Sequence, residues 1–177
     1  VILHRYRDPA SVTDEVRTRF GRVARDIVES GARGFGEIAS LHLSAMPGHP
    51  FEFVPADHPL LTLLADIAAE HGLPIDLHMD AADGPAKRPE SYSTAQNPAQ
   101  LPDTIGPLAR LLAHNPRATI VWAHGGTDVV GGQNTVVITR LMDAHANLHM
   151  SLRLLPDRPP GQRGGADLAH EHVNRVF

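Results

Sequence analysis

Short apolar runs alternate with longer amphipathic stretches along the chain. The clearest run, Pro74-Ile75-Asp76-Leu77-His78-Met79, follows Gly72-Leu73 and leads into a polar loop, as a strand buried in a parallel sheet does. The same pattern returns at Thr119-Ile120-Val121-Trp122-Ala123-His124, so two successive apolar runs end in histidine. Gly34-Phe35-Gly36-Glu37-Ile38-Ala39 and Leu148-His149-Met150-Ser151-Leu152 read as two further strands, and residues 1–4 as the tail of another. Glu37 is a carboxylate in an otherwise apolar run and therefore needs a partner.

Helical stripes separate these runs. Ser11 and Asp14 fit a capping box ahead of Val16, Phe20, Val23, Ile27 and Val28, and Gly31 stops that helix. Asp57 caps a second helix with Pro59 in its first turn and Leu60, Leu63, Leu64 and Ile67 on its buried face, ended by His71-Gly72. Leu108, Leu111 and Leu112 mark a third, closed by His114-Asn115-Pro116; Val136, Val137, Leu141 and Met142 mark a fourth, ending near Ala146-Asn147. Residues 40–56 and 80–103 read as loops, the second long enough to be a lid or binding loop, and 125–132 as a glycine-bracketed turn. Past the last strand, 156–165 is a Pro/Gly/Arg-rich loop, and 166–177 begins another helix. This βαβαβαβ alternation calls for a parallel sheet with right-handed helical crossovers in a single α/β domain spanning 1–177.

Composition narrows the chemistry. At 177 residues, 42% hydrophobic and 20% charged, the chain can bury a core. Its formal net charge of −4, without a basic run, argues against nucleic acid and anionic membrane as partners, and no apolar stretch is long enough to span a bilayer. With no cysteine, thiolate sites and disulfides are excluded, so any metal must be held by His, Asp or Glu. The chain opens on Val1 and no signal peptide is visible, which leaves localisation open with the cytoplasm as the default. Strand-end histidines remain the best chemical signal, because ligands gather at the carboxyl ends of parallel strands.

In order and spacing, Gly34-Phe35-Gly36-Glu37-Ile38, Pro74-Ile75-Asp76-Leu77-His78, Val121-Trp122-Ala123-His124-Gly125-Gly126 and Asn147-Leu148-His149-Met150-Ser151 resemble strands four to seven of the amidohydrolase superfamily. They are most similar to its amidohydrolase-related branch. That resemblance implies a partial (β/α)8 TIM barrel that carries one or two divalent metals at its strand ends. The family's first-strand His-x-His pair and eighth-strand Asp have no counterpart here, so the chain reads as the middle of a barrel, inactive alone, with exposed edges that favour association of copies into a homo-oligomer.

The resemblance also implies roles. His78 matches the strand-five ligand for zinc, manganese or iron, the alternative being a buried histidine bonded to a neighbouring loop. His124 matches strand six, where the family either binds a second metal or keeps a free imidazole as catalytic acid–base and oxyanion group; the alternative is a loop-start histidine held by Gly125-Gly126. Glu37 matches the bridging carboxylate of binuclear members, or else pairs with an arginine. Arg153 is the arginine at hand, and otherwise grips a substrate carboxylate. Asp80 is the second substrate-pocket residue; Asp76 pairs across the sheet, and Ser151 faces the core or lines the mouth. His42, His49, His145, His170 and His172 match no ligand position and are read as loop or surface residues. The implied activity is metal-dependent hydrolysis of a C–N or C–O bond in a small carbonyl substrate, with decarboxylation by the same ligands as the runner-up and a non-catalytic α/β binding domain as the rival class.

Overall fold

Ile75, Leu77 and Met79 are buried while Asp76 and His78 between them are half-exposed, so strict alternation gives this strand a core face and a polar face. In the computed structural model, which describes residues 5–46, 48–125 and 128–152, it is β3 (Pro74–Met79), the middle of a five-stranded sheet. On one side lies β1 (Phe35–His42); on the other lie β6 (Thr119–Gly125) and then β7 (Leu148–Leu152). All four are parallel and neighbours in chain order, as the βα alternation predicts. The short strand β2 (Glu52–Phe53) pairs antiparallel with the outer edge of β1. The sheet is mixed α/β and open: among the described residues nothing closes it into a barrel.

Four helices cover its core face: α1 (Asp14–Glu29), α2 (Pro59–His71), α3 (Ile105–His114) and α4 (Thr135–Ala144). α2 packs on β3 and β6 and is flanked by α1 and α3, while α4 packs on β7. Leu41, Leu77, Ile120 and Trp122 from the strands join Leu60, Ile67, Leu108 and Leu112 from the helices in one apolar cluster. Trp122 is fully buried there and its indole Nε1–H donates to the Met79 carbonyl at 2.9 Å. No helix among the described residues is long and apolar enough to cross a membrane.

Several local expectations are corrected. β1 does not stop at Ala39 but runs to His42, and the stretch 40–56 contains β2. Ser40 explains this: fully buried, it donates to the Val54 carbonyl at 2.8 Å and pulls the returning chain onto the strand. The segment 80–103 is not structureless; β4 (Ala86–Lys87) and β5 (Gln100–Leu101) pair within it, with a single 3-10 turn (Glu90–Tyr92) between them. Thr13, not Ser11, caps α1, accepting from Val16 N–H at 3.3 Å. His58, not Asp57, caps α2: its Nδ1 accepts the Leu60 N–H at 3.2 Å, and Asp57 pairs with Arg110 at 2.7 Å instead. Ile27 and Val136 face solvent, since α1 lies against α2 through Phe20, Gly21 and Ala24, and α4 buries Ile138. The strand tail at 1–4, the loop at 156–165 and the helix at 166–177 lie outside the described residues.

Candidate metal centre

Three adjacent strands each deliver one side chain to the same point on the polar face. β3 does so by plain alternation, which turns His78 away from Leu77 and Met79. β1 does so through a bulge: Phe35 pairs with Ile75 and Ile38 with Leu77, so Gly36 and Glu37 together oppose Asp76. A Cβ on Gly36 would fall 2.6 Å from the Asp76 Cβ, so only glycine lets the strands approach here. Glu37 therefore sits within β1, not at its end as the shorter strand implied.

β6 breaks its own alternation. Ile120 and Trp122 face the core, and a regular strand would send His124 the same way. Instead His124 takes φ +62°, and the β6–β7 register shifts between Trp122 and Gly125. A non-glycine residue with positive φ is uncommon and concentrates where function over-determines the backbone. The turned peptide is held by Ser151, whose Oγ accepts the His124 N–H at 3.2 Å. Ser151 is thus an exposed rim residue rather than a core-facing one.

The result is a tight triad. Glu37 Oε1 lies 2.6 Å from His78 Nδ1 and 3.0 Å from His124 Nε2, and the two rings are 5.1 Å apart between centroids. One carboxylate oxygen accepts from both imidazoles. Burial raises the Glu37 carboxyl pKa, but hydrogen bonds and charge from His124 and His78 outweigh it and hold the pKa below the usual value. Burial likewise pushes His78 down, with His42 adding to the effect against Asp80 and Glu37, and so favours the neutral, ligating imidazole.

The donor set fits a divalent cation. The three ligand atoms lie within 4.8 Å of one another. A tetrahedral zinc with bonds of about 2.0–2.1 Å holds its ligand atoms roughly 3.3 Å apart, so an ion needs the carboxylate oxygen, now 2.6 Å from His78 and 3.0 Å from His124, to withdraw from both rings, by about 0.7 Å from the first and about 0.3 Å from the second. Two nitrogens and one oxygen leave a fourth position open, as in hydrolytic zinc sites.

The other expected residues are not members of the triad. Asp80 follows β3, but its Oδ2 accepts the Leu43 N–H at 2.8 Å, and burial raises its pKa. Asp76 does not pair across the sheet among the described residues; its Oδ1 is buried there without a hydrogen-bond partner. Among the described residues Glu37 takes two imidazoles as partners; Arg153, the arginine expected as its alternative partner, lies outside them, as do His170 and His172. His145 sits at the C-terminus of α4, as a loop residue should. The correction is His42. It ends β1 with its ring 4.7 Å from that of His78, and His49 packs on it in turn. The signal that singled out His78 and His124, a histidine closing a parallel strand, applied to His42 as well once β1 was given its full length.

No protein-family model, curated protein or solved structure matches the chain.

Proposed function

We propose that Glu37, His78 and His124 bind one divalent cation, zinc before manganese or iron, in a metal-dependent hydrolase related to the amidohydrolases, with the sheet forming part of a (β/α)8 barrel. The observation that carries this is the convergence of three ligand-type side chains from three neighbouring parallel strands, one of them brought round by a left-handed backbone turn. A bound ion there would lower the pKa of a coordinated water and polarise a carbonyl oxygen. Glu37 supplies the negative charge that offsets the cation, and a bound ion would take the place of the two imidazole protons that now hold its carboxylate. His78, whose neutral form burial favours, offers a ring nitrogen, while Ser151 sets the direction of His124 through the backbone. The substrate is a small molecule with a C–N or C–O bond beside a carbonyl; Asp80 and Arg153 belong to the same proposal as its recognition groups.

Metal stripping and reloading, followed by elemental mass spectrometry alongside turnover of amide and ester substrates, tests the reading. His78→Ala should lose the zinc of this centre and with it any turnover. His124→Ala separates two roles: loss of zinc makes it a ligand, whereas retained zinc with turnover reduced by roughly two orders of magnitude makes it an acid–base or oxyanion group. Unchanged zinc content in His78→Ala would refute the centre.

A further inference from the structure

Two imidazoles outside the triad lie against each other at the same end of the sheet. His42 closes β1, and its ring centroid is 4.5 Å from that of His49, with the planes at 76°. A tight turn places His49. Its N–H donates to the Met46 carbonyl at 3.1 Å, and Gly48 takes φ +83°, which a side chain would resist. The loop carrying the pair is anchored from the far side of the sheet end: Leu43 N–H donates to Asp80 Oδ2, Ser44 N–H to Asn97 Oδ1 at 2.8 Å, and Asn97 Nδ2 returns a bond to the Ser44 carbonyl at 2.9 Å. Asn97 is itself buried, so the backbone that follows His42 is anchored.

His49 Nδ1 is buried and, among the described residues, has no hydrogen-bond partner. Such an atom costs roughly 1–3 kcal/mol, and a bound water or ion is one way in which native structures complete it. The ring beside it offers further imidazole nitrogens. Two imidazoles sharing one tetrahedral ion, with bonds of about 2.0–2.1 Å, place their centroids about 5 Å apart. His78 and His124, at 5.1 Å, meet that spacing, and His42 and His49, at 4.5 Å, come within about half an ångström of it. Asp80 lies in the field of His42 and His78, while burial raises its own pKa.

We propose that His42 and His49 form a second cation position next to the Glu37 centre, taking an imidazole-preferring ion such as zinc, nickel or copper(II), with water completing the shell. The position does not depend on the triad; the two are neighbours through the 4.7 Å contact between the His42 and His78 rings.

Zinc titration of the metal-stripped chain by calorimetry, with elemental mass spectrometry of the loaded protein, tests this. Two zinc ions per chain are expected. His49→Phe keeps a ring against His42 while removing the ligand, and should lower the count to one; His49→Gln checks the result in a side chain that cannot disturb the turn, with circular dichroism confirming the fold of both. His78→Ala should remove the other ion. An unchanged count and affinity in both His49 variants overturns the proposal, as does a single zinc that only Glu37 and His78 substitutions abolish. One zinc lost in His49→Phe but kept in His78→Ala would uphold this position and refute the Glu37 centre instead.

Discussion

Glu37→Gln separates the metal reading of the triad from a purely structural one. Both imidazoles bond to the same carboxylate oxygen, Oε1, and a glutamine carbonyl can accept from both in the same place. The fold should therefore survive. Exchanging charge-assisted for neutral hydrogen bonds costs about 1 kcal/mol each at most, and less at a carboxylate whose side chain is 42% exposed. Metal binding should not survive so well. Losing one coordinating hydrogen bond in a second shell already lowers affinity about 10–100-fold, so loss of the anionic ligand itself should reach at least about 100-fold. At free zinc about 100 times the wild-type dissociation constant, binding stabilises the fold by about 2.7 kcal/mol. For a chain of this size that is a rise in Tm of roughly 5–11 °C over the chelator-treated form. The variant, then only half-saturated, gains about 0.4 kcal/mol, or roughly 1–2 °C. Thermal unfolding with zinc and with chelator, each variant against its own metal-free form and in the His49→Phe background to silence the neighbouring position, measures this directly. An equal zinc-induced shift in both proteins would mean that Glu37 does not contact the ion.

Two further outcomes follow from the packing and the caps. Gly36→Ala should destabilise the fold by about 1–3 kcal/mol, because the new Cβ meets the Asp76 Cβ at 2.6 Å and its backbone carbonyl at 3.1 Å, neither of which yields easily; it should also weaken zinc binding, as β1 and β3 are pushed apart beside Glu37 and His78, and an unchanged urea midpoint would refute the close approach. His58 should make stability fall in mild acid: burial lowers its pKa against the opposing Tyr6 backbone, Asp57 and Asp8, so the unfolded chain takes the proton first, and stability is full above about pH 6.5 and declines as pH drops toward the lowered folded value. Replacing it by asparagine, a cap that does not titrate, should flatten the urea midpoint between about pH 7.5 and 5.5, and an equal slope in both proteins would refute the assignment.

The four parallel strands and four helices were legible because each is written in a local period: two for β3, between three and four for α2 and α3. Caps were misplaced by one or two residues because Thr13 competes with Ser11, and His58 with Asp57, for the same job, and only the folded backbone selects between them. The site was half legible. His78 obeys alternation and was found by it, whereas His124 reaches the same point only by violating alternation, and Glu37 only through a bulge. Neither device leaves a periodic trace. His42 was hidden because what extends β1 past Ala39 is the distant pairing of Ser40 with Val54 and of Leu43 with Asp80, and such contacts carry no local signature.

Trp122 gives the buried side of the sheet a hold over the polar one. The paired register of β3 and β6 runs only as far as Leu77 and Trp122, and just beyond it the strands carry His78 and His124. There the indole replaces the missing rung, tying β6 to the Met79 carbonyl, one residue past the first histidine and two before the second. The gap between the two imidazoles is thus gauged from behind, by a side chain that faces the helices and is nowhere near an ion. An inventory drawn only from Glu37, His78 and His124 would omit the residue that works as their spacer.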